Sequence, residues 1–206
     1  MRAIIKSLGL LLIWGAVVVL FSCDPYKEGN QYLRQRNYQK AIEYFEAKLK
    51  EKPDDPILHN QLGYAYSKLG KYKKAIEHYQ KAVELNPDYP EAHYNLGHIY
   101  SERNILKLEE AIQELTKAIE LRPDYAKAYN DRGLVYTWIG EFEKAKKDLQ
   151  KALELDPDNE VYKYNLEYCV RQEEIFKSRA KKTAPQKESS TPSQEKSPSQ
   201  PKKEPK

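Results

Sequence analysis

Four histidines and two cysteines are the side chains with which this 206-residue sequence could hold a metal or attack a substrate. Their spacing favours neither. His93 and His98 are five apart, which turns them to different sides of a helix and argues against a shared metal. His78 falls among Lys71, Lys73, Lys74 and Glu77, whose spacing reads as a solvated, charged helix face. Cys169 has no histidine and no second cysteine near it, so it reads as a small buried hydrophobe. Cys23 and Cys169 are too few for a disulfide framework. HExxH, a GxxxxGK phosphate loop, GxSxG and paired CxxC do not occur in the sequence. It therefore points to no catalysis, no cofactor and no metal centre.

Cys23 suggests one chemistry of another kind, covalent attachment of lipid. Arg2 and Lys6 precede Leu8–Phe21, fourteen residues without a charge, and Leu20-Phe21-Ser22-Cys23 leads into Asp24-Pro25. That order is a secretory signal over residues 1–22. Its end resembles the lipobox of bacterial lipoproteins, in which the Cys is lipidated and becomes the new N-terminus. Leu20, Ser22 and Cys23 fit, and Phe21 is bulkier than that pattern usually has. An uncleaved membrane anchor is the competing reading, since Ser7–Cys23 is 17 residues, at the lower limit of a spanning helix. A plain cleaved signal is a third. In each, the positive residues ahead of the apolar run place the rest of the chain outside the cytoplasm, in the periplasm or at the cell surface.

Any functional group in the rest of the chain must be positioned by a repeat. Gly29, Gly63, Gly97 and Gly133 form one ladder, Ala41, Ala75, Ala111 and Ala145 a second, Pro53, Pro87, Pro123 and Pro157 a third. Each climbs in steps of 34, 34 and 36 in some order. Three ladders in phase mark a stacked helical array. Within Pro56–Asp88, Leu62, Gly63 and Tyr66 share one helical face, Gly70 interrupts it, and Ala75, Tyr79 and Ala82 mark a second helix that Pro87 stops. Helices are expected at about 25–36, 38–51, 56–69, 72–85, 90–103, 107–121, 125–139 and 142–155, in units 22–55, 56–89, 90–125 and 126–159. Asp24-Pro25 and Asp55-Pro56 each supply an N-cap followed by Pro at the first helical position. Between Tyr100 and Ala111 the gap is eleven instead of nine, which enlarges the turn near Asn104–Lys107. That turn is either a contact loop or a tolerated insertion. Beyond Asp158, Tyr162, Leu166, Cys169 and Phe176 form a stripe, read as a capping helix over 158–178 with a polar outer face.

Spacing and residues together resemble the tetratricopeptide repeat family, whose pattern is W-x2-L-G-x2-Y, then A-x3-F, then A and P. The second unit fills it with His59, Leu62, Gly63, Tyr66, Ala75, Tyr79, Ala82 and Pro87, and the third with His93, Leu96, Gly97, Tyr100, Ala111, Leu115, Ala118 and Pro123. The fourth offers Tyr129, Gly133, Tyr136, Ala145, Leu149, Ala152 and Pro157, with Arg132 where Leu is usual. The first keeps Gly29, Tyr32, Ala41, Phe45 and Pro53. The resemblance covers roughly residues 24 to 159. It implies an all-α fold, an α-solenoid of four helix pairs plus the capping helix wound as a right-handed superhelix, with His59 and His93 packed between helices. It implies also that the first helix of each unit lines a concave groove for a protein or peptide partner. By phase the groove residues are Tyr26, Asn30, Asn60, Tyr64, Tyr94, His98, Lys127, Asn130, Leu134 and Trp138. Some members hold a chaperone's C-terminal carboxylate with a Lys- and Asn-rich clamp. Here Asn30 fits it but Tyr26, Gln61, Glu91 and Asn95 stand in its other places, and one unit later only Asn95 and Lys127 fit, so the clamp is not expected.

Net charge is +4, yet residues 177–206 carry nine Lys or Arg against three Glu, which leaves 7–176 at about −4. A nucleic-acid protein would concentrate positive charge on its folded part, so no nucleic-acid partner is expected. Residues 179–206 are Lys, Ser, Pro, Gln and Glu without an aromatic residue, and are read as a disordered basic tail. The tail could reach an anionic wall polymer or lipid head groups, or serve only as a solubilising tether. The reading that results is a non-enzymatic scaffold: a membrane-anchored, extracytoplasmic lipoprotein adaptor for assembling an envelope complex such as pilus, secretion or cell-wall machinery. Its alternatives are a holdase-like chaperone for exported proteins and the same adaptor held by an uncleaved N-terminal anchor.

Overall fold

A computed structural model describes residues 25–183 as a run of nine α-helices, with no strand among those residues. They are α1 Lys27–Arg34, α2 Tyr38–Glu51, α3 Pro56–Lys68, α4 Tyr72–Leu85, α5 Pro90–Ser101, α6 Leu108–Leu121, α7 Ala126–Trp138, α8 Phe142–Leu155 and α9 Glu160–Thr183. Segments of 8 to 14 residues such as α1–α8 are marginal alone in water, so packing must stabilise them. Each helix packs on the next, and the first helices of successive units also touch, α3 on α5, α5 on α7 and α7 on α9. One continuous core runs from Tyr26 to Val135, with Phe45, Leu58, Leu62 and Leu115 fully enclosed. A smaller cluster of Ala145, Leu149 and Cys169 lies under α9.

The repeated Gly and Ala are where helices come closest. A Cβ on Gly97 would lie 2.7 Å from Leu115 Cγ and 3.0 Å from the Leu115 backbone nitrogen, so α5 meets α6 at the main chain. The turns between paired helices close alike: the N–H of Asn37, Lys71, Lys107 and Glu141 donates to the carbonyl of Tyr32, Tyr66, Tyr100 and Tyr136 respectively. One residue earlier the chain turns left-handed, at Arg36, Gly70, Leu106 and Gly140 with φ of 57°, 69°, 50° and 82°. The two extra residues of the third unit are therefore looped out without disturbing the bond that closes the turn. A left-handed non-Gly residue costs roughly 1–2 kcal/mol, and Leu106 is exposed. Leu106→Gly is accordingly expected to stabilise the array by about 0.5–1 kcal/mol after the entropy of glycine is charged against it, seen as a higher urea midpoint at unchanged slope.

Several expectations change at the ends. α1 begins at Lys27, and Pro25 stands in the turn before it instead of at the first helical position. Asp55 does cap α3, its carboxylate accepting from the N–H of Ile57 and Leu58. α9 begins after Asn159, whose side chain accepts from Val161 N–H, and continues to Thr183. Arg179–Thr183 are thus helical and not part of a disordered tail, because this stretch is rich in strong helix formers and meets no Pro before Pro185. Nor is the outer face of the cap polar. Phe176, expected in its core stripe, is 61% exposed and only leans on Phe142 with ring centroids 5.7 Å apart. The signal-like segment, Cys23 and the tail beyond residue 183 lie outside the described residues. No described helix is long and apolar enough to cross a membrane.

Candidate functional site

Histidine occupies the Trp place in two units because it can bridge. His59 is buried, with Nε2 3.1 Å from the Pro53 carbonyl and Nδ1 3.1 Å from His78 Nδ1. A carbonyl only accepts, so Nε2 carries the proton, Nδ1 accepts, and His78 donates. His93 repeats the bridge from the Pro87 carbonyl (3.0 Å) to Glu114 (2.6 Å). His78 is consequently not on a solvated face: it is half-buried, stacked on Tyr66 at 5.5 Å. Burial and then the neighbouring His59 hold its ring below the usual imidazole range, against Glu46 and Glu77, with Lys74 adding to the depression. A ring whose folded pKa is depressed binds fewer protons folded than unfolded. Its contribution is complete above the unfolded value and is lost as pH falls toward the lower folded one. As pH falls from about 7 to 5 the melting temperature of the wild type should therefore fall relative to that of His78→Tyr, which installs the residue type of the first unit's Tyr44.

The groove side carries the first helices. Of the expected groove residues, Asn60 and Asn130 are buried and spent on contacts between units. Asn95 Nδ2 donates to Asn60 Oδ1 at 2.9 Å, and Asn165 Nδ2 to Asn130 Oδ1 at 2.8 Å. Gln61 makes a like rung to Asn30 at 3.1 Å. Tyr26 is 5% exposed and belongs to the core, its hydroxyl donating to Asp55 where the second unit begins. A side chain at groove phase is lost to a partner when the adjoining helix presents a complementary group, and these three are corrected on that ground. Between α5 and α7 an ion pair takes the place of the amide rung, with His98 Nδ1 2.8 Å from Asp131 Oδ2. The hydrogen bond to Asp131 outweighs burial and raises the His98 pKa.

Two adjoining hollows remain. The first, about 600 Å³, is lined by Asn60, Tyr64, Tyr94, His98, Tyr125 and Lys127, among others. The second, about 410 Å³, is lined by His98, Asp131, Leu134 and Trp138, and by Arg103 and Asn104 of the enlarged turn. His98 and Glu102 border both, so they form one trough along α3, α5 and α7. Six expected residues are brought together in it, Tyr64, Tyr94, His98, Lys127, Leu134 and Trp138, while Asn60 borders it with its amide already held by Asn95 and Tyr89. Tyr125 and Asp131 join them without being marked by helical phase. Pro-Asp-Tyr recurs at 87–89 and 123–125, and that repetition is the available signal for Tyr125.

Charge within the trough is partly spent. Glu91 accepts from Arg122, whose guanidinium lies 4.7 Å over the Tyr125 ring, and Glu102 is 3.7 Å from His98. Lys127 is exposed and Lys68 lies 5.2 Å from the Tyr64 ring centre, neither within ion-pair distance of a carboxylate among the described residues. What the surface offers a ligand is ring faces, a few amides and two uncompensated cations. Among the described residues no three His, Cys, Asp or Glu side chains are grouped to hold a metal ion. Cys169 is enclosed, and burial pushes its thiol up, away from the reactive thiolate.

Models of the tetratricopeptide repeat match residues 32–77 and 126–159, and a TPR repeat model matches 65–103 and 107–137, so that nearly all of 32–159 is accounted for. The chain is a tetratricopeptide repeat protein. No curated protein matches it. Among solved structures this TPR chain is similar to YrrB, described as a TPR protein with an unusual peptide-binding site, at 31% identity and TM-score 0.59, covering 68% of this chain and 71% of that one. It is similar also to the first TPR domain of Spaghetti (RPAP3) bound to the HSP90 peptide SRMEEVD, at 30% identity and TM-score 0.54 over 56% of this chain and 90% of that one. A third likeness is to MamA from Desulfovibrio magneticus RS-1, at 26% identity and TM-score 0.65 over 75% and 86%.

Proposed function

We propose that this chain is a non-enzymatic adaptor that holds an extended peptide segment of a partner protein in the trough along α3, α5 and α7. The observation that carries this is Trp138, 46% exposed at the end of a trough that already holds half-buried Tyr64, Tyr94 and Tyr125. The three tyrosines also pack in part against the core, Tyr94 with its ring 5.0 Å from Tyr125, but Trp138 is an exposed large apolar side chain at the trough, of the kind a peptide with apolar anchors uses. Lys68 and Lys127 would favour a segment that also bears carboxylates. The HSP90 peptide bound to the Spaghetti domain and the peptide-binding site described for YrrB support peptide binding as the work of this chain.

The cell biology we attach to it comes from the N-terminal sequence: a lipid on Cys23, repeats outside the cytoplasm, and a role in assembling an envelope complex. The basic residues beyond 183 would then lie near anionic lipid or wall polymer. Labelling with a fatty-acid analogue should mark the wild type and not Cys23→Ala; equal labelling would favour an uncleaved anchor. Crosslinking from Lys127 in native membranes should yield one or two partners, while a broad spectrum of exported chains would favour a holdase. Trp138→Ala is expected to weaken binding of the captured partner at least about tenfold and to leave the melting temperature within a few degrees, because loss of an interface aromatic commonly costs ~2 kcal/mol or more. A large drop in melting temperature would return Trp138 to the core.

A further inference from the structure

The cap α9 buries one face against α7 and α8 through Tyr162, Asn165, Leu166, Cys169 and Glu173. Roughly a third of a turn away runs a second apolar line. Val161, Tyr168 and Ile175 are seven residues apart, and Tyr164 falls between the first two. Val161 is 61%, Tyr164 59% and Ile175 42% exposed. Such a seven-residue line along one helix is what a second helix packs against. The sequence after α9, residues 184–206, contains no Val, Leu, Ile, Met, Phe, Tyr or Trp that could cover it.

Charge indicates the occupant. Asp158 and Glu160 mark the N-terminal end of the helix, Glu160 with Lys163 2.8 Å away, and on the side of the apolar line Arg179 and Lys182 mark its C-terminal end. A second copy laid antiparallel sets each acidic end beside a basic one, brings Tyr164 near Ile175 of the other copy, and leaves the two Tyr168–Arg171 stretches at the centre. A parallel copy would set like charges together. We propose that α9 pairs antiparallel with α9 of a second copy of this chain about a two-fold axis near Tyr168–Arg171. The pairing is isologous and closes on itself. The line spans roughly 20–25 Å at 1.5 Å per residue, short of a standard interface, so the dimer is weak and depends on concentration at the membrane or in solution. This inference does not depend on the trough or its ligand.

The test places a benzophenone amino acid at Tyr164 in the full chain, using a mixture of isotopically light and heavy protein. The expected product on illumination is a light–heavy dimer joined between residue 164 and the region of Ile175. Glu160→Lys and Arg179→Glu, both at exposed positions, should each reduce its yield at least about fivefold, and the two together should restore it. Circular dichroism of every variant checks that helix content is unchanged. Crosslinks to residues 1–24, to a different protein, or to position 164 of a parallel copy would overturn the proposal. So would monomer alone, or a double charge swap that fails to restore the yield.

Discussion

Asp148→Ala is expected to destabilise the fourth unit by about 3–5 kcal/mol, because it leaves the largely buried Arg132 charge without its carboxylate. Arg132 stands where the second and third units have Leu62 and Leu96, and its Nε and Nη2 bind the two Asp148 oxygens at 2.7 and 2.9 Å. Nη1 donates to Thr116 at 2.9 Å, and the guanidinium carbon lies 5.8 and 5.9 Å from the Tyr129 and Tyr136 rings. The two side chains are 15% and 7% exposed. A geometry this complete offsets the desolvation of both ions, but it contributes little beyond what an apolar pair would. Arg132→Leu with Asp148→Leu should accordingly recover most of the loss, or exceed the wild type by ~1 kcal/mol or more. Urea midpoints of the single and double variants decide it: a single-variant cost below about 1 kcal/mol would mean that water already reaches the pair.

Phe45→Ala should be of similar size but confined in space. Phe45 is fully enclosed and its ring fills the place that Gly29 leaves by having no Cβ, so truncation leaves a cavity worth about 3–5 kcal/mol between α1 and α2. In a stack whose units touch only their neighbours, the array can shed the damaged unit instead of tolerating the cavity. Hydrogen exchange should show lost protection over Lys27–Arg34 and Tyr38–Glu51, while amides in α5–α8 keep theirs. Loss of protection throughout would show that the array unfolds as a single cooperative block.

The three ladders make the helices legible to within about two residues over most of the chain, since a period of 34 with Gly, Ala and Pro in phase leaves few other folds. Phase alone also locates Tyr94, His98, Leu134 and Trp138 in the trough. It fails at Asn60 and Asn130, because a helical wheel gives the direction of a side chain and not whether an amide 35 residues away will meet it. It fails at Tyr26 because the first helix is shorter than its siblings, so Tyr26 lies ahead of α1 and reaches Asp55. The outer line of α9 is hidden in the sequence because Lys163, Glu167, Glu174 and Ser178 suggest a polar face, and Val161, Tyr164 and Tyr168 interleave with them.

The brevity of α1 also has a mechanical side. It is eight residues long with Gly29 as its one buried residue, whereas the other first helices, α3, α5 and α7, run 12 or 13 residues and bury several each. Any tension entering the stack from its N-terminal side is borne by α1 before it reaches α3. Peeling residues 25–37 into extended chain gives a contour of roughly 40 Å at about 3.3–3.6 Å per residue, of which α1 already spans about 12 Å when folded. If the chain is anchored and loaded through its N-terminus as proposed, α1 is expected to give way before the helices of the trough, so that unit one would serve as a sacrificial link between the anchor and a ligand held further along.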